Sequence, residues 1–551
     1  MLLQESKATK AYYLSLAELP PDQYEKAREI ILEQMEQMRK GGDFSDDQIA
    51  ETKEMTINQL RETLDNPQGM IELTYQRVLA QSNKTITELI EQVQSVTRDQ
   101  IVKVANQVQL DKIYLLKSEG GQSQMKNKYY DQIDETIYTE VLENGLKVCI
   151  LPKTEMAKTF AIFTTNYGSI DQSFVPIDQK DLITVPDGIA HFLEHKLFEK
   201  EDRDVFQDFS KLGASANAFT SFTKTAYLFS ATSRVKENLG ILVDFVQDPY
   251  FSEQSVEKEK GIIAQEIKMY DDQPDWRAFF GTIKSMYKEH PVQIDIAGTV
   301  DSIEKITKED LYTCYHTFYH PNNMILFIAG NVEPEEIMQQ IKDNQTQKSF
   351  KEPEPITRKF PDEQEEVAEQ ELRITMPVQV PKALVGLKEK EIPTDPKIFM
   401  EKEWLMDIIM DYLFSKSGIV YEKLYEEGLI DQSFSYESHL ERNFGFSIIG
   451  GNSHKPERLA QVVKEELLNI KNQKMDDITF ERIKRKKHGQ LLRALNSLEF
   501  VANQYTHYQM LGIDFFDSIE WLEALTYQDL DKFIQKWIDE KRISICFVGA
   551  K

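Results

Sequence analysis

One pattern is written three times along the 551 residues, and it limits the possible folds more than any composition figure does. Each copy runs through an apolar stretch, a long amphipathic segment, a short break, a second helical stretch, a Thr-led helix and a closing apolar strand. The breaks read FSDDQIAETK (44–53), FSEQSVEKEK (251–260) and MDDITFERIK (475–484). The later landmarks read VTRDQI, ITKEDL and LTYQDL; Thr97, Thr307 and Thr526 follow Lys53, Lys260 and Lys484 by 44, 47 and 42 residues. A Thr with an Asp two or three residues on predicts a helix N-cap at all three places. KIYLLKSEG, NMILFIAGN and RISICFVGA read as the closing strands. Self-similarity at such regular spacing signals duplicated domains.

The copies are unequal. Residues 125–345 read as one complete domain. Within it VLENGLKV (141–148) carries Asn-Gly between strand-like flanks, a hairpin signal, and 160–167 supplies a further strand. LRITMPVQVPKALVGL (372–387) opens a second complete domain, 373–551. Between them, 346–372 is an acidic linker whose run PDEQEEVAEQE (361–371) holds six acids and no base, a composition that reads as solvated. Residues 1–124 are a truncated third copy without the early strands, and MKNKYY (125–130) then reads like a second protein start. Such a piece fits two neighbouring proteins joined, or two reading frames merged. The expected fold class is α+β: duplicated α/β domains, two complete and a truncated third at the N-terminus.

Charge narrows the function. With 65 Lys+Arg against 92 Asp+Glu the formal net is -27, which argues against a nucleic-acid binder and against retention on anionic lipid by basic residues. The start, MLLQESKATK, has no apolar core of signal-peptide type, and no uncharged apolar run reaches spanning length. Cys149, Cys314 and Cys546 are too few and too far apart for a disulfide framework and read as core residues. A cytoplasmic location without a membrane anchor is expected.

The chemistry concentrates in GIAHFLEHKLF. On a helix, His191 and His195 are four apart and project from one face, so two imidazoles can meet one ion. Glu194 projects close to that face, in the H-x-x-E-H order known for catalytic zinc. Two nitrogens do not complete a zinc site, and the repeat indicates the third ligand. Fourteen residues beyond Ser252 stands Glu266; the same count from Ser45 reaches Gln59, and from Asp476 reaches Gln490. Only the copy with the histidine pair has a carboxylate there, and a neutral amide is a poor ligand beside one. Glu259, two turns earlier on the same face, is placed to support a ligand from behind. The competing pair His316 and His320 has the same spacing but no intervening Glu, and it ends against Pro321; aromatic packing near a helix end is the better reading. With one zinc ion per chain, the set would hydrolyse peptides, Glu194 taking up a proton and returning it to the leaving amine.

HFLEH, the downstream Glu266 and the duplicated domains together resemble the pitrilysin/insulinase family of zinc metallopeptidases, which includes the mitochondrial processing peptidases. Residues 125–551 resemble one complete two-domain subunit, closest to a group found in Gram-positive bacteria, and 1–124 resembles the tail of a paralogous partner. EIKMYDDQPDWR (266–277) and AGT (297–299) add to the likeness. The resemblance implies a clamshell closing around a chamber that admits peptides or unfolded segments. In GASANAFTSFTKTAYLFS (213–230) it implies that Asn217, with Ala218 and Phe219 beside it, binds substrate backbone, and that the strand after it adds the peptide as an extra strand. One feature departs from the family. Where active relatives carry an Arg and a Tyr for the oxyanion, this chain has Tyr425 and Asp431. A paralogous partner subunit is therefore expected to supply that pair in a heterodimer. The rival reading is a non-catalytic peptide-binding or scaffold subunit.

Overall fold

The computed structural model describes residues 32–33, 35–41, 44–65, 84–107 and, apart from 178, 353 and 474, residues 125–550. The chain divides into two compact units, Met1–Gly121 and Gln122–Lys551.

In the first unit residues 35–40 are helical, and further helices span Asp46–Asp65, Ile86–Ser95 and Arg98–Gln107. Ser45 opens the first: its hydroxyl accepts the Gln48 N–H, and the Gln48 side chain accepts the Ser45 N–H in return. Thr97 does the same with Gln100. Each such cap satisfies donors that the first helical turn would otherwise leave unpaired. The expected closing strand KIYLLKSEG lies outside the described residues.

The second unit holds two large sheets and a two-stranded one. Its strands are β1 (Lys126–Tyr130), β2 (Glu135–Val141), β3 (Lys147–Pro152), β4 (Thr159–Thr165), β5 (Ser173–Phe174), β6 (Ile183–Thr184), β7 (Ser215–Thr220), β8 (Thr225–Ala231), β9 (Met324–Gly330), β10 (Glu371–Thr375), β11 (Lys382–Lys388), β12 (Ser435–Leu440), β13 (Gly445–Asn452) and β14 (Ile543–Gly549). The larger sheet has the order β1-β2-β3-β9-β4-β8-β7, the other β10-β14-β11-β13-β12, and β5 pairs with β6. Both large sheets are mixed: β3–β9 and β10–β14 run parallel, the remaining neighbours antiparallel. The Asn-Gly hairpin joins β2 and β3. Gly145 there has φ +87°, and an added Cβ would come within 2.6 Å of Asn322.

β4 and β9 are buried at every position, because both faces of the first sheet are covered. The helices of its own half cover one face. The helix Leu498–Met510, from the second half, covers the other, with Tyr505 5.0 Å from Phe327 ring to ring. The second sheet receives the helix Pro274–Met286 from the first half in return: Ala278 packs on Cys546 and Val548, and Ser544 donates to Ser285 at 2.7 Å. These two helices follow the equivalent long helices of their copies, so the duplicated halves exchange a structural part. Gly281 and Gly386 lie at this contact, where a Cβ would press within 2.7 Å of Ile374 and Met286.

The acidic linker is more firmly bound than its composition predicts. Glu363 accepts the backbone N–H groups of Lys288, Glu289 and His290 and pairs with buried Lys388 at 2.8 Å. Further along, the Val367 N–H donates to Lys541 O and Glu369 N–H to Ser285 O. Asp171 of the first half, fully buried, binds both Arg358 of this segment and Arg442 from the β12–β13 turn. Among the described residues no helix is long and apolar enough to cross a membrane.

Candidate metal centre

Two helices carry the candidate ligands. The helix Ile189–Phe198 starts from Gly188, whose φ of +85° lets the chain turn sharply out of Pro186-Asp187. Eight of its ten residues are buried, and the exceptions are His191 and His195. The second helix, Glu253–Asp271, starts from a Ser252 capping box that sets its rotational phase. Thr307 and Thr526 cap their helices in the same way, with Asp310 and Asp529 closing the boxes, and Asp476 caps the helix Asp477–Ala494. The count of fourteen therefore runs from helix cap to helix position in each copy. Gln490 at that position is exposed.

His191, His195 and Glu266 converge, with one ligand atom from each lying within 4.8 Å of the others. His191 Nε2 is 3.8 Å from Glu266 Oε1, and His195 Nε2 is 3.7 Å from Glu266 Oε2. Ligands held at ~2.0–2.2 Å around one tetrahedral ion lie about 3.3–3.6 Å apart, so small side-chain shifts would close the set around zinc. The donor chemistry fits as well. Burial and the neighbouring His195 push the His191 pKa down to about 3, which keeps this ring neutral as a ligand must be. For His195, burial opposes charge, but the Glu259 hydrogen bond and the charges of Glu194, Glu259 and Glu266 outweigh it and raise the pKa. Glu259 Oε1 sits 3.1 Å from His195 Nδ1, an arrangement that directs the lone pair of Nε2 towards Glu266.

Glu194 stands beside the convergence point, mostly buried, and accepts the Thr220 hydroxyl at 2.7 Å. Burial raises its pKa, partly offset by Thr220 and His195, so it takes up a proton more readily than an exposed glutamate. These groups line a cavity of about 480 Å³ that also includes Asn217, Ala218 and Phe219. The structure corrects one expectation here. Asn217 lies on β7 itself, and β7 is the edge strand; β8, the strand after it, is enclosed between β4 and β7. Of these two strands, only β7 has a backbone edge left unpaired in the sheet. The competing histidines are separated by structure: His316 packs against Tyr312, whereas His320 lies beyond the helix end and binds Asn322 and Lys351 O.

Two family models match the chain. "Insulinase (Peptidase family M16)" matches residues 185–300, which contain His191, Glu194, His195, Glu259 and Glu266, and "Peptidase M16 inactive domain" matches 305–487. The uncharacterized zinc protease YmfH of Bacillus subtilis is 54% identical over 425 residues, 77% of this chain and 98% of that protein. The chain belongs to the insulinase (M16) peptidase family. A putative M16-like peptidase from Alicyclobacillus acidocaldarius superposes with a TM-score of 0.73 at 39% identity, covering 78% of this chain and 99% of that one. A protease from Helicobacter pylori shares the fold at TM-score 0.64 and 18% identity, over 78% and 99%.

Within the M16 fold the second half lacks the His pair, and Tyr425 projects into solvent, 67% exposed. Asp431 is engaged by Ser433 and Asn452. Several residues of the cavity were not evident from sequence as site residues, Thr220 among them. Tyr270, Trp276 and Asp295 line it beside Glu266. The i, i+4 spacing of Glu266 and Tyr270 was the available signal; nothing in the sequence connects Trp276 to Asp295.

Proposed function

We propose that this chain is the catalytic subunit of a zinc-dependent endopeptidase that hydrolyses peptides or unfolded segments inside a closed chamber. The convergence of His191, His195 and Glu266 in one cavity with Glu194 and the β7 edge carries this reading. One zinc per chain would be held by the two Nε2 atoms and the Glu266 carboxylate. When bound, zinc supplies Lewis acidity for the scissile carbonyl and for the attacking water.

The remaining steps belong to the protein. The substrate lies along β7 as an added strand, so main-chain bonds hold it and pocket shape selects it. Thr220 fixes Glu194 Oε2, leaving Oε1 to accept the proton of the attacking water. As the new C–O bond forms and the amide C–N bond breaks, Glu194 returns that proton to the departing nitrogen. Base catalysis of this kind is worth ~10²–10⁴-fold. Tyr425 and Asp431 offer no paired donors for the developing oxyanion, a contribution often worth about 3–4 kcal/mol, so a paralogous partner subunit supplies an Arg and a Tyr. The same observation favours the second reading, a scaffold subunit that binds peptides without cutting them; the complete ligand set weighs against it.

The test is cleavage of an unfolded polypeptide by the full chain, alone and mixed with a paralogous M16 subunit. Wild type cleaves, and Glu194→Gln loses at least about 100-fold while still binding the polypeptide. Equal cleavage by both forms contradicts the role of Glu194. Binding without cleavage by wild type under every pairing supports the scaffold reading instead.

A further inference from the structure

Glu266 has a neighbour to which the proposed chemistry assigns no part. Tyr270, one turn further along the same helix, donates its hydroxyl to Glu266 Oε1 at 2.8 Å. Oε2 is left facing His195 Nε2. The tyrosine is itself held: its ring stacks on Trp276, centroids 4.4 Å apart and planes 15° from parallel. The Trp276 indole N–H donates to Asp295, and Asp295 also accepts the Ala297 N–H at 2.9 Å.

The loop carrying Asp295 returns to the histidine helix. A Cβ on Gly188 would lie 2.4 Å from Ala297 O, and one on Gly298 would lie 2.6 Å from Asp187 O. Ser302 ties the same place by donating to Asp187 O at 2.9 Å. A closed circuit thus runs from the start of the histidine helix through the 295–298 loop, Trp276 and Tyr270 to Glu266. It joins the two helices on which the three convergent groups sit.

We infer that Tyr270 is a positioning residue for Glu266, and that Trp276, anchored by Asp295, holds the tyrosine ring so that the carboxylate meets both imidazoles in one register. The inference rests on the zinc-site reading above. A donor fixed on Oε1 leaves one oxygen to face the ion and removes rotational freedom from a long side chain. Partners of this kind are typically worth about 10–100-fold in metal affinity.

Zinc affinity of the full chain, measured by competition with a chromophoric chelator, tests it. The variants are Tyr270→Phe, Trp276→Leu, Trp276→Phe and the double variant Tyr270→Phe/Trp276→Leu, with thermal melts alongside. Tyr270→Phe weakens zinc binding by about 10–100-fold. Trp276→Leu weakens it too, Trp276→Phe restores most of that loss by keeping a ring against Tyr270, and the double variant binds no more weakly than Tyr270→Phe. Wild-type affinity in Tyr270→Phe overturns the inference while leaving the zinc site intact. Additive losses in the double variant, or no restoration by Trp276→Phe, overturn the part assigned to Trp276. A wild-type chain that holds no zinc removes the zinc-site reading and this inference together.

Discussion

Glu259 Oε1 lies 3.1 Å from Nδ1 of His195, and it comes from the same helix, two turns earlier, as Glu266. One helix therefore brings a carboxylate to each side of the same imidazole. Glu259→Ala removes the acceptor that fixes the ring's orientation and should weaken zinc binding by about 10–100-fold, with Glu259→Gln, which keeps an oxygen in place, losing less. Zinc retained after dialysis against graded chelator concentrations checks the order.

Gly188 and Gly298 face each other across the start of the histidine helix. Both have positive φ, +85° and +75°, and a Cβ on either would collide with a backbone oxygen. Gly188→Ala and Gly298→Ala should each destabilise the fold by about 1–3 kcal/mol and weaken zinc binding, because the turn that aims His191 must shift. Thermal melts with and without zinc measure both effects; unchanged values would mean that the contact is not held closed.

His290 predicts an acid sensitivity. It is buried, its Nδ1 accepts the Val292 N–H, and its ring stacks on Phe360 with planes 10° apart. Burial pushes its pKa down to about 4. Below its ordinary 6.5 the unfolded chain binds a proton that the folded chain refuses, so stability falls as the pH drops from 6.5 towards 4 and the loss then levels off. At pH 5 this amounts to at most about 2 kcal/mol. His290→Asn, which still accepts from Val292 but cannot titrate, should lose less stability than wild type between pH 7 and pH 5. Chemical denaturation at the two pH values gives the comparison.

The sequence carried the repeat, the helix caps and the ligand set for one physical reason. A capped helix has a defined phase, so a fixed count from Ser45, Ser252 and Asp476 reaches the same face in each copy, and Glu266 stands out against Gln59 and Gln490. Tertiary choices were not legible in this way. The helices Pro274–Met286 and Leu498–Met510 have ordinary apolar faces, and nothing local states that each will cover the other half's sheet. That β7 rather than β8 is the edge depends on strand order, which alternating Ala and Phe do not encode. Glu363 read as a solvated charge because composition cannot show three backbone N–H groups and Lys388 waiting for it. Trp276 and Asp295 meet across nineteen residues, and no periodic signal spans that distance.

The zinc content of the purified full chain tests the central claim most directly. Elemental analysis should find one zinc per chain in wild type and in Glu194→Gln, and markedly less in Glu266→Gln after the same dialysis. No stoichiometric zinc in wild type, or full retention in Glu266→Gln, would contradict a site built from His191, His195 and Glu266.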